Sequence, residues 1–172
     1  VCRTRCRCSK FFSGDRFDSA IYSGKRKNLP CKIVPGDFPA IGEIEKYIST
    51  NEAQYKLRQN NEARIVWAND SNKQKTEFAI VYLHGFTASQ EEGNPTHRNV
   101  AKAFGCNLYL ARLAEHGIDT TEMLVNLTAD NYWESAKQAL AIGKQIGKKV
   151  ILMGTSTGGT LALQLAAAYP AD

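Results

Sequence analysis

Phe78-Ala79-Ile80-Val81-Tyr82-Leu83 is an unbroken run of six apolar residues. A strand with one wet face alternates apolar and polar residues. A run without alternation suits a strand covered on both faces, as in a parallel sheet. No apolar run in the chain reaches the ~18 residues that a membrane span needs. Lys149-Val150-Ile151-Leu152-Met153 predicts the next strand. Shorter strands are predicted at Arg64 to Ala68 and Cys106 to Leu110.

Helical patterns alternate with these strands. Phe38 to about Gln54 places Ile41, Ile44, Ile48 and Tyr55 near one face, with Pro39 suited to the first turn. Asn94-Pro95 opens a helix through Val100, Ala101 and Phe104 that Gly105 can end. Asp130 is a candidate N-cap for a helix from Asn131 to Ile146, with Trp133, Ala136, Leu140 and Gly143 on one face and Gly147 at its end. Thr157 to Tyr169 is an apolar helix stopped by Pro170. This alternation predicts an α/β domain with a mostly parallel sheet and flanking helices. With 172 residues, 43% hydrophobic and 23% charged, the chain is one ordinary globular domain, and collagen, coiled coil and wholesale disorder are excluded.

The net charge of +5 is unevenly spread. Residues 1–36 hold nine Lys/Arg and two Asp, while residues 37–172 hold 13 Lys/Arg and 15 Asp/Glu. The first segment reads as a basic tail or linker, residues 37–62 as a helix and joint, and residues 63–172 as the main domain. The main domain gives no reason to invoke a nucleic acid partner. Cys2, Cys6, Cys8 and Cys31 fall in the tail, where their spacing matches no common zinc site, so free thiols are expected. Cys106 reads as a small buried residue. No metal constellation is present in the sequence, and no cofactor is implied. Two glycosylation sequons, at Asn69 and Asn126, carry little weight without a secretory signal.

Gly154-Thr155-Ser156-Thr157-Gly158 fits G-x-S-x-G and lies between a predicted strand and a predicted helix. A serine on such a turn takes a strained backbone conformation that lifts its Oγ clear of the sheet. Residues two before and two after must be small, which Gly154 and Gly158 supply, and Gly159 is expected to add room for close packing. The helix starting at Thr157 points N–H groups and its positive end at the place where a tetrahedral oxyanion would form. Upstream, Leu83-His84-Gly85-Phe86 follows the long apolar strand. A turn there can aim the Phe86 N–H at the same oxyanion, so Phe86 and Thr157 are the candidate backbone donors. His84 is assigned to the supporting turn and not to catalysis. A phosphate-binding loop is excluded, because Gly159 is followed by Thr160 and Leu161 and not by Lys and Ser/Thr.

Three segments together resemble the α/β-hydrolase superfamily, in the branch of serine aminopeptidase-like and monoacylglycerol-lipase-like esterases. They are Ala79 to Thr87, Ala111-Arg112-Leu113-Ala114-Glu115-His116-Gly117, and Gly154 to Gly159. The second is similar to the family's D-x-x-G-H-G segment, with Arg112 at the Asp position and Glu115 at the first Gly. The resemblance covers about residues 64–172. It implies a serine hydrolase that cleaves a small-molecule carboxylic ester through an acyl-enzyme on Ser156. The aminopeptidase-like relatives leave a peptide or amide substrate open, and a non-catalytic, truncated relative is the third reading.

The family order implies Ser156, then an acid, then a His. The 16 residues after Ser156 hold Asp172 and no His. His97, at a predicted helix start, and His116, in the loop after a strand, do not fit that order. Glu115, Asp119 and Glu122 in that loop are most simply solvated charges. The chain is therefore expected to be the N-terminal portion of an enzyme, and residues 1–172 alone to hydrolyse simple esters barely above background.

Overall fold

A computed structural model describes residues 38–170. The predicted tail, with Cys2, Cys6, Cys8 and Cys31, lies outside the described residues, as does Asp172. The chain order is a 3-10 turn at Ile41–Glu43, α1 (Ile44–Glu52), β1 (Arg64–Val66), β2 (Thr76–Leu83), a 3-10 turn at Gln90–Gly93, α2 (Thr96–Ala103), β3 (Asn107–Leu110), α3 (Ala129–Ile146), β4 (Gly147–Gly154) and α4 (Thr157–Ala168). The four strands form one open mixed sheet in the order β1-β3-β2-β4. β2 runs parallel to both β3 and β4, and β1 is antiparallel to β3. This is an α/β architecture. No helix among the described residues is long and apolar enough to cross a membrane.

The unbroken apolar run behaves as its composition requires. Ala79 to Leu83 are all buried, and alternate residues feed two separate cores. Ala79, Val81 and Leu83 pack with Ile44 and Ile48 of α1, Ala136, Ala139, Leu140, Ile142 and Ile146 of α3, and Leu161 and Leu165 of α4. Ile80 and Tyr82 pack on the opposite face with Ala101 of α2, Cys106, Leu108 and Leu110. Helices α1, α3 and α4 therefore cover one face and α2 the other.

That division fixes where a site can form. The helix after β2 crosses to one face, while the helix after the neighbouring β4 crosses to the other. The two connections diverge and leave a crevice at the carboxyl ends of β2 and β4, the usual place for ligands in open α/β sheets. His84-Gly85 and Gly154-Thr155-Ser156 occupy those two ends.

Several predicted boundaries move for local reasons. Phe38 to Ala40 are not helical, and Tyr55 lies beyond α1, its ring beneath the Arg112 guanidinium at 4.5 Å. Trp67 and Ala68 fall outside β1, and the Trp67 indole instead donates to Glu45 at 2.9 Å. Cys106 precedes β3 and is buried, and burial pushes its thiol pKa up. Phe104 lies past the end of α2 and is largely exposed. The N-cap of α3 is Thr128 and not Asp130: Thr128 accepts from the Asn131 N–H at 3.1 Å, and the Asn131 side chain accepts from the Thr128 N–H at 2.9 Å. This reciprocal pair is a capping box with Asn in the place of Glu or Gln. Gly147 both ends α3 and opens β4. A Cβ there would lie 2.5 Å from the backbone N of Ala79, so only glycine lets helix pass directly into strand.

Candidate functional site

Ser156 has φ 51° and ψ −119°. L-residues rarely adopt positive φ, and a non-glycine residue held there costs on the order of 1–3 kcal/mol. The neighbours show how the turn is held. A Cβ on Gly154 would meet the Gly158 carbonyl carbon at 2.5 Å, and a Cβ on Gly158 would meet the Leu83 carbonyl oxygen at 2.1 Å. Both glycines are therefore required by backbone-to-backbone approach. Gly159 is different: its nearest contact would be Gly154 O at 3.5 Å, an ordinary separation. The close packing expected of it is absent.

The approach of Gly158 to Leu83 joins the two turns. The start of α4 rests directly on the end of β2, and Thr155 N–H donates to Leu83 O at 3.1 Å. Beyond that contact, the place a side chain on Gly85 would occupy lies 3.4 Å from Ser156 Cβ. The structure therefore brings the His84-Gly85-Phe86 turn against the serine turn. Ser156 is solvent-exposed, and Phe86 is 53% exposed beside it.

Phe86 N–H and Thr157 N–H find no acceptor among the described residues. Among those residues nothing competes with an incoming oxygen for either donor. The orientation of the Phe86 N–H is set through the carbonyl of the same peptide unit. Gly85 O accepts from His84 Nδ1 at 2.9 Å and from Ala88 N–H at 3.3 Å. His84 Nε2 in turn accepts from Leu113 N–H at 3.1 Å. These bonds define a neutral imidazole with its proton on Nδ1. Burial holds its pKa down to about 4, far below the usual histidine range.

The other two histidines are engaged in the same manner. His116 Nδ1 donates to Ala114 O at 2.7 Å, and its Nε2 accepts from Thr87 N–H at 3.2 Å. Its ring stacks on Tyr132, whose hydroxyl pairs with Thr157 Oγ1 at 3.0 Å. His97 is buried and donates from Nε2 to Gln90 O at 2.9 Å. Burial lowers the pKa of both. All three imidazoles of the sequence thus brace backbone turns.

Two contributors were not legible from the motif. Glu92, in the 3-10 turn after β2, accepts from Gly85 N–H at 2.7 Å. Tyr82 Oη pairs with Thr155 Oγ1 at 2.9 Å and reaches Glu92 at 3.4 Å. Their only sequence signal is position, six residues past Phe86 for Glu92 and the penultimate residue of β2 for Tyr82. Beside this turn lies a cavity of about 360 Å³ lined by Arg58, Thr87, Glu92, Glu115, His116 and Met123, among others. Glu115 is thus part of that lining, while Asp119 pairs with Lys56 at 2.7 Å.

Chemically, an exposed serine before a helix start, with the Thr157 N–H beside it and the Phe86 N–H in the adjoining turn, neither bonded among the described residues, can present a nucleophile and stabilise negative charge on a bound oxygen. No protein-family model matches this chain, and no curated protein matches it.

Proposed function

We propose that this chain carries the nucleophile half of a serine hydrolase of the α/β-hydrolase fold, cleaving a small-molecule carboxylic ester. The observation that carries the reading is the backbone of Ser156, φ 51° and ψ −119°, at a strand-to-helix turn closed by Gly154 and Gly158. A protein keeps such strain where the local geometry is used.

In this reading Ser156 Oγ bonds to the ester carbonyl carbon, and the carbonyl oxygen takes up the electron pair as an oxyanion. The N–H groups of Phe86 and Thr157 donate to that oxyanion. Collapse expels the alcohol and leaves an acyl-enzyme, which water cleaves to the acid. The Ser156 proton needs a base. His84, His97 and His116 are committed to backbone partners, so none of them is assigned as the base; the family resemblance implies the order Ser, acid, His for the full set. The same commitment of all three imidazoles favours the second reading, a non-catalytic relative that retains the serine turn.

Active-site labelling separates the two. The protein expressed from its intact gene is treated with a fluorophosphonate, and the modified peptide is mapped. Labelling at Ser156 that disappears in S156A supports the hydrolase. A protein that takes no label and turns over neither an aryl ester nor an amino-acid amide is the non-catalytic relative. Preference for the amide over the ester would redirect the substrate class to peptides.

A further inference from the structure

We propose that Glu92 is a positioning residue of the oxyanion turn, locking Gly85 so that the Phe86 N–H stays aimed at an acyl oxygen on Ser156. The inference rests on the nucleophile reading of Ser156 and adds a residue outside all three resembling segments.

Gly85 links two peptide units with opposite duties. One carries the Gly85 N–H, and the other carries the Gly85 carbonyl together with the Phe86 N–H. Glycine rotates more freely between its two peptide planes than any other residue. A stiffer residue would crowd the carboxylate that holds the turn, because a Cβ at Gly85 would meet Glu92 Oε1 at 3.1 Å and Oε2 at 3.2 Å. Both planes must therefore be held from outside. The carbonyl side is held by His84 Nδ1 at 2.9 Å and Ala88 N–H at 3.3 Å. Among the described residues the N–H side is held by one group, Glu92 Oε2 at 2.7 Å. A carboxylate accepting from a backbone N–H makes a shorter and stronger bond than a neutral acceptor.

Glu92 is itself fixed in two ways. Its turn lies flat against the Tyr82 ring, since a Cβ on the next residue, Gly93, would fall 2.5 Å from both Tyr82 Cζ and His97 Cδ2. Its Oε2 also lies 3.4 Å from Tyr82 Oη, which pairs with Thr155 Oγ1 at 2.9 Å. With Thr155 donating to Tyr82 and Tyr82 donating to Glu92, every proton in the chain points toward the carboxylate. The residue before Ser156 is thereby tied to the residue before Phe86. The serine turn and the oxyanion turn keep one spacing.

The test compares E92A, E92D and E92Q in the protein expressed from its intact gene. It uses the fluorophosphonate labelling rate at Ser156, kcat and KM on an aryl ester, hydrogen exchange at Gly85 and the melting temperature. Removing the acceptor in E92A, or withdrawing it by one methylene in E92D, is expected to slow labelling and kcat about tenfold or more, with KM held. Gly85 exchange should rise and the melting temperature should hold. E92Q is expected to restore most of the rate, because its amide oxygen accepts from the same N–H. E92D keeps the question answerable if E92A does not fold. Wild-type rates in E92A and E92D, or an E92Q as slow as E92A, overturn the positioning role. A wild-type protein that takes no label at Ser156 overturns the nucleophile reading instead, and this inference with it.

Discussion

Arg112 grips Glu52 with two prongs, Nε to Oε2 at 2.8 Å and Nη2 to Oε1 at 3.0 Å. The pair joins α1 to the loop after β3, across 60 residues of sequence. Arg112 is only 8% exposed and Glu52 14%. Ala63 N–H also donates to Glu52, and His116 O also accepts from Arg112. The ion pair makes the arginine a tether for α1. Removing one partner of a buried, well-bonded pair leaves the other charge stranded, at a cost of about 3–5 kcal/mol. R112A is expected to lower the unfolding free energy by about 3 kcal/mol in urea titration. R112K should recover only part of that, because an ammonium cannot reproduce the planar fork. An R112A variant within experimental error of wild type would remove the tether from the account.

Gly158 and Gly159 are adjacent and look equivalent in the sequence, yet the structure separates them. A methyl on Gly158 must displace the carbonyl of Leu83, which is strand backbone and cannot swing aside. G158A is expected to cost at least about 3 kcal/mol, as overpacking against a rigid partner does. A methyl on Gly159 meets nothing closer than 3.5 Å and sits inside α4. G159A should therefore stabilise the chain by about 0.5–1 kcal/mol through helix propensity. Melting curves of the two variants give the answer, and equal losses in both would show that the serine turn does not pack as described.

What the sequence revealed of this fold follows the range over which each signal acts. The strand run at Ala79 to Leu83 is legible because burial on both faces removes the alternation of a one-sided strand, and α4 because an apolar run ends at Pro170. The strain at Ser156 is legible because G-x-S-x-G records a steric demand within five residues. The cap at Thr128 is hard to read because its box closes on Asn131 rather than on the usual Glu or Gln. The antiparallel setting of β1 left no trace, since three residues carry no directional pattern. Glu92 and Tyr82 were invisible as site residues for a different reason. Their roles exist only once β2 and β4 are neighbours, and nothing local in E-E-G-N or V-Y-L announces a bond to Gly85 or Thr155.

The histidines make stability depend on pH in a definite direction. His84 is buried neutral, with its pKa lowered from 6.5 to about 4, and burial lowers His97 and His116 as well. Between pH 6.5 and about 4 the unfolded chain binds protons that the folded chain refuses. Stability is thus complete above the unfolded pKa and is lost as pH falls through this window. His84 alone contributes on the order of 3 kcal/mol to the loss, at about 1.4 kcal/mol per pKa unit. Urea midpoints from pH 7.5 to 4 should fall most steeply between pH 6 and 4.5. H84Q should flatten that fall while lowering stability at pH 7.5. A midpoint that is flat down to pH 4.5 in the wild-type chain would contradict the buried neutral assignment.

The strain at Ser156 offers a test that needs no turnover. With φ 51°, the backbone sits where glycine is at ease and every other residue is strained by about 1–3 kcal/mol. S156A removes the hydroxyl but leaves the Cβ and therefore the strain, so its stability should match wild type within about 0.5 kcal/mol. S156G removes both. Against the relief stands the extra freedom of glycine in the unfolded chain, worth about 0.4–1 kcal/mol. The net expectation is a gain of about 1 kcal/mol for S156G over S156A, read from urea unfolding of the two side by side. Neither variant should take a fluorophosphonate label at residue 156. A gain without labelling shows that the fold keeps a strained serine at the cost of its own stability, as a nucleophile turn requires. If S156G is instead the less stable of the two, the backbone at 156 is relaxed, and the observation that carries the hydrolase reading is lost.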